Sequence, residues 1–155
     1  MTPGYLLDLL IINEVRKEKL ADELSVVVKN DLDKQNGFYL REIGRYFLEI
    51  SDGQRPGKFA KHKNYDKNIG EAESNNLIEV IYKLYQRHST LWDLEDKRRD
   101  KNLNDKVRLS YCDEVSVVNK KRNDLVEQVD KIIDNDLKST KHWGKKTKLW
   151  GDLVV

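Results

Sequence analysis

A chain of 155 residues with 36% charged side chains, 8 glycines and only 2 prolines is long enough for one buried core. Its composition reads as helical and globular rather than β-rich or disordered. The net charge of +2 does not demand a nucleic-acid partner, and a single cysteine, Cys112, excludes an intramolecular disulfide. The longest apolar stretch, Leu6 to Ile12, is interrupted by Asp8 and falls far short of the ~20 residues a membrane span needs. With no leader-like pattern at the N-terminus, the expectation is a cytoplasmic protein that makes no use of a membrane.

The expected architecture is all-α, an antiparallel four-helix bundle whose two long helices come last, in one domain over residues 1–155. Helix one is expected from Pro3 to about Lys29, with Thr2 as N-cap, Pro3 in the first turn, and Leu6, Leu9, Leu10, Leu20, Leu24, Val27 and Val28 as its apolar stripe. Asn36-Gly37 reads as a break. A shorter helix should follow over about Phe38 to Ile50, with Leu40, Ile43, Phe47 and Ile50 on one face. Residues Ser51 to Gly70 read as a loop, long for a compact domain. Helix three is expected over Glu71 to Asp100 and helix four over Asn104 to Leu137, joined by a short connection that makes them antiparallel. Lys138 to Val155 reads as a tail without a helical stripe. Helices of such length also invite a homodimer.

Polar residues interrupt the apolar stripes of the last two helices. At about 100° per residue, Leu77, Ile81, Leu84, His88, Leu91 and Glu95 share one face, and so do Val107, Tyr111, Val118, Arg122, Leu125, Val129 and Ile132. Charge on a buried stripe needs a partner or a ligand. Counting outward from the turn places Arg122 near Ile81 and Tyr82; if helix one runs parallel to helix three, Arg122 is level with Asn13, Glu14 and Lys17, and Glu14 is its expected counter-ion. Asp96, Asn119 and Asn123 fall at the edges of the stripes, where groups that orient a ligand belong. Such a seam can bind a small anionic ligand, or it can be a set of buried pairs that fixes helix register. Glu95 with Asp96 is also a weak carboxylate pair for Mg²⁺.

Three segments resemble uncharacterised bacterial helical proteins grouped as domains of unknown function. Leu91-Trp92-Asp93-Leu94-Glu95-Asp96-Lys97-Arg98-Arg99 is similar to their "LW-x-(I/L)-E-D-x-x-R" segment. Val118 to Val126 is similar to their "N-x-x-R-N-D-L-(I/V)" segment, and Thr2 to Ile12 to the "S-P-G-E-L-I-D-K-L-T-I-L" start of one branch. Together they cover about a third of the chain. Tyr5, Leu9 and Asp93 depart from the pattern, and no role at Asp93 carries over. The resemblance implies an all-helical protein, often encoded among surface-polysaccharide and glycosyltransferase genes. It assigns no reaction.

On this reading the chain is a helical binding or accessory protein, with a glycan-assembly enzyme as its expected partner. One alternative is a metal-dependent hydrolase of a nucleotide or sugar-nucleotide, built on Glu95 and Asp96. The acidic pair Glu127 and Asp130 is expected on a solvated face, and pairing of Cys112 with His88 is disfavoured by their axial offset. A second alternative, less favoured, is a nucleic-acid-binding module. It would use basic and aromatic residues of the loop and tail, among them Lys58, Lys61, Lys63, Trp143, Lys145, Lys146 and Trp150.

Overall fold

A computed structural model of the chain describes residues 1–51 and 70–151, with side chains described for 1–50 and 70–137. Four helices follow in order: α1 (Pro3–Lys19), α2 (Val26–Ser51), α3 (Leu77–Arg99) and α4 (Asp105–Gly151). Each start has a local cause. Thr2 Oγ1 accepts from Tyr5 N at α1, and Asn76 Oδ1 accepts from Ile78 N and Glu79 N at α3. At α4, Asn104 Oδ1 accepts from Val107 N.

The first two helices divide the chain differently from the sequence-based expectation. Instead of running to Lys29, α1 stops at Lys19, and Leu20 and its neighbours form a tight turn in which Leu24 N bonds to Leu20 O. Ser25 opens α2, its Oγ accepting from Val28 N, while Lys29 Nζ reaches back to Ala21 O. Asn36-Gly37, expected as a break, lies inside α2. Asn36 is buried there. It accepts from Asn13 Nδ2 at 2.9 Å and donates to Glu14 Oε1 at 2.6 Å, and this cross-helix pairing outweighs the weak helix propensity of the dipeptide. Leu40, assigned to the buried face, is instead 58% exposed.

Residues 71–76 precede α3 rather than belonging to it. They lie along α4, where Asp124 Oδ2 accepts from Glu71 N, and Gln128 accepts from Ser74 N and donates to Ala72 O. The expected end of helix four at Leu137 is also corrected. Its 47 residues continue to Gly151, about 70 Å at 1.5 Å per residue. No proline lies beyond Pro56 to stop it.

Ion pairs and hydrogen bonds fix the directions. Lys17–Asp33 and Asn13–Asn36 make α1 and α2 antiparallel. Gly4–Asp130 and Asp8–Arg122 set α1 antiparallel to α4, whereas Asp8–His88 and Lys19–Asp93 carry it in the direction of α3. The core lies between α1, α3 and α4: Ile11, Val15, Val80, Leu84, Leu125, Val129, Ile132 and Ile133, with Phe47 of α2 packed against it. At roughly 1.5–3 kcal/mol per fully buried aliphatic side chain, this cluster outweighs any single polar contact in the bundle. Among the described residues, no helix is long and apolar enough to cross a membrane.

Candidate functional site

The site begins with a residue the sequence reading passed over. Asp8 appeared as an interruption in a leucine-rich run. The face that α1 turns to the core is Gly4, Asp8, Ile11 and Val15, spaced four, three and four residues apart, and Asp8 is 4% exposed. The expected stripe through Leu9 and Leu10 had the wrong phase, because leucines occupy nearly every position there.

A buried carboxylate is costly without partners, and Asp8 has two. His88 of α3, itself 7% exposed, places Nε2 2.7 Å from Asp8 Oδ1. Arg122 of α4 places Nε 3.8 Å from the same oxygen. That is an ion-pair distance without a hydrogen bond, and the Arg122 Nε–H is sealed from solvent with no acceptor. Arg122 Nη2 donates to Asn123 Oδ1 at 3.0 Å, and the Arg122 side chain keeps 27% of its surface exposed.

That exposed part faces a cleft of about 280 Å³ between α3 and α4. His88 and Arg122 line it with Leu91 and Trp92. Glu95, Asp96, Arg99 and Asn119 complete the wall. The structure therefore gathers five of the residues singled out in sequence, His88, Glu95, Asp96, Asn119 and Arg122, around one depression. Asn123 stands behind it, holding Arg122. Trp92 and Arg99 were not selected beforehand, although both lie within the segment that carried the family resemblance.

Glu14 is not the counter-ion of Arg122. It holds Lys17 and Asn36, both at 2.6 Å, within the α1–α2 pair. The count outward from the turn slipped: Arg122 shares the cleft with His88, and α1 reaches that level at Asp8. Glu14 and Asp33 hydrogen-bond Lys17, Asp33 more strongly, and they raise its pKa above the ordinary lysine range. Glu95 is engaged by its own helix, with Arg98 Nη2 at 2.6 Å and Arg99 Nη2 at 3.7 Å. This pairing, followed by contact with Cys112, holds the Arg98 guanidinium above its usual value. By contrast, Asp96 and Asn119 make no hydrogen bond among the described residues and present free polar groups to the cleft.

Other assignments resolve elsewhere in the molecule. Asp130 is not on a solvated face. It is 2% exposed and accepts from Gly4 N at 2.7 Å, a carboxylate set at the positive end of α1. Cys112 donates toward Arg108 O and lines a separate depression with Arg98, Arg99 and Arg108, apart from His88. Among the described residues, no three His, Cys, Asp or Glu side chains converge as metal ligands would, which leaves Glu95 and Asp96 without a third member. Lys58, Lys61 and Lys63 lie outside the described residues. So do the side chains of Trp143, Lys145, Lys146 and Trp150.

Residues 78–148 match the model of a family described as protein of unknown function, DUF4254. The match takes in α3 from its second residue and α4 nearly to its end, and so every side chain that lines the cleft. Asp8 lies outside it and joins the matched segment from α1. No curated protein and no solved structure matches the chain.

Proposed function

We propose that this chain is a binding or accessory protein whose α3–α4 cleft holds a small anionic ligand, and that it acts beside enzymes of bacterial glycan assembly. The observation that carries the first part is the state of Arg122. Its Nε is drawn toward the buried Asp8, Asn123 holds Nη2, and its remaining N–H groups find no acceptor among the described residues. An arginine whose stem is fixed and whose outer edge opens into a cleft is suited to a phosphate or carboxylate, because its fork needs no reordering on binding. Arg99 adds a second cation to the cleft from α3, and Trp92 offers an aromatic face of the kind sugars pack against. The glycan context rests on the sequence segments that resemble proteins encoded among polysaccharide genes.

The test is a thermal-shift and calorimetric titration with inorganic phosphate and UDP-glucose, run on wild type and Arg122→Met. Saturating ligand at about 100 times its Kd should add about 2.7 kcal/mol of stability to wild type and none to the variant. Equal stabilisation of both proteins, or of neither, would remove the cleft as the binding site.

A further inference from the structure

The Asp8–His88 contact fixes more than a ring position. Asp8 Oδ1 is a carboxylate oxygen with no hydrogen to give, so the neutral His88 ring carries its proton on Nε2 and leaves a lone pair on Nδ1. Among the described residues, Nδ1 has no hydrogen-bond partner, and it is not one of the polar atoms sealed from solvent without one. His88 lines the cleft, so this lone pair opens there. Arg122 is drawn to the same Asp8 oxygen and sets its donors on the same floor. The floor thus presents an acceptor beside a cation.

From this juxtaposition we infer that the cleft selects an oxyanion that carries a hydroxyl beside its charge, of the sugar phosphate class, with Arg122 taking the phosphate and His88 Nδ1 accepting the hydroxyl hydrogen. The inference rests on reading the cleft as an anion site and narrows it to one chemical class. A compact oxyanion without a hydrogen to donate satisfies Arg122 and leaves Nδ1 without a partner, and an unmet polar group in a confined site lowers affinity. Asp96 of α3 and Asn119 of α4 line the same cleft without a hydrogen bond among the described residues and are placed to meet further hydroxyls, and Trp92 supplies an apolar surface for a sugar ring.

Two measurements test this. Nitrogen-15 NMR of wild type reads the His88 tautomer directly and needs no variant. Protonation at Nε2 is expected, and a ring protonated at Nδ1 overturns the inference while leaving the anion site standing. Calorimetry at pH 8.5 then compares glucose 1-phosphate with sulfate, two dianions of which only the first carries hydroxyls. Wild type should prefer the sugar phosphate by about tenfold or more, roughly the worth of one good hydrogen bond. His88→Leu removes the Nδ1 lone pair and puts no other acceptor in its place, whereas the carboxamide oxygen of a glutamine would restore one. It should cut the preference for glucose 1-phosphate over sulfate about tenfold, whereas Arg122→Met should weaken both anions. Equal affinity for the two anions in wild type, or a preference undiminished in His88→Leu, overturns the inference. Failure of both anions to bind overturns the anion site with it. Should His88→Leu unfold, the wild-type preference and the tautomer decide.

Discussion

The tight approach of α1 to α4 at Gly4 gives a substitution whose sign runs against helix propensity. In a helix, glycine is about 0.8–1.0 kcal/mol less favourable than alanine, so Gly→Ala normally stabilises. At Gly44 the structure offers no opposition, because an added Cβ meets nothing within 4 Å. Gly44→Ala should therefore gain roughly 0.5–1 kcal/mol. At Gly4 the same methyl would sit 2.9 Å from Asp130 Oδ1 and closer still to the Val126 carbonyl oxygen. That oxygen belongs to the backbone of α4 and cannot swing aside, so α1 would have to retreat. Overpacking of this kind costs about 1–3 kcal/mol. The retreat also lengthens the 2.7 Å Gly4 N–Asp130 bond, a charge-assisted contact of a class worth about 1.5–3 kcal/mol. After crediting the propensity gain, Gly4→Ala should lose about 1.5–5 kcal/mol. Urea unfolding of the two variants should shift the midpoint in opposite directions at unchanged slope. A Gly4→Ala protein as stable as wild type would refute the α1–α4 contact and, with it, the placement of Asp8 beneath the cleft.

Two further outcomes follow from the α1–α2 pair. Asn36→Ala leaves the buried Asn13 with only the longer 3.3 Å bond to Gln35 and takes a donor from Glu14; urea unfolding should show a loss of about 1–3 kcal/mol, and no loss would mean that Asn36 does not sit inside the helix pair. Lys17 has a folded pKa raised by Asp33 and Glu14, so its contribution is fully present below the ordinary lysine range and disappears as pH rises through the folded value. Thermal melts of wild type and Lys17→Met between pH 9 and 12 should converge at the alkaline end; a constant gap would show that the pairing charge is not what Lys17 contributes.

The helical class, the antiparallel α3–α4 pair and the polar positions on it were legible because 3.6-residue periodicity is strong where charges and aliphatics alternate cleanly. His88, Glu95 and Arg122 stood out against such a background. Asp8 did not, since the leucines around it support several helical phases and only tertiary packing selects the one that passes through Gly4, Ile11 and Val15. The break after Lys19 was hidden for a related reason. Leu20, Leu24, Val27 and Val28 continue a plausible stripe, and Ser25 was the local sign that a new helix begins. Asn36-Gly37 erred in the other direction, a turn-like dipeptide held helical by partners 22 and 23 residues away. The long reach of α4 left no stripe to read, since a helix that nothing breaks need not be amphipathic to persist.

The shared oxygen of Asp8 also has a consequence for descent. Three helices meet at one atom, and no single exchange leaves the others content: losing Asp8 strands Arg122 and frees the His88 ring, losing His88 takes a hydrogen bond from the acid, and losing Arg122 takes its counter-charge. Positions 8, 88 and 122 are thus bound to one another through time as well as in space. Among descendants of a common ancestor they should be inherited as a trio or replaced as a trio. Lineages caught with two of the three should be rare, and should carry a compensating change near Asn123, whose side-chain oxygen accepts from the arginine.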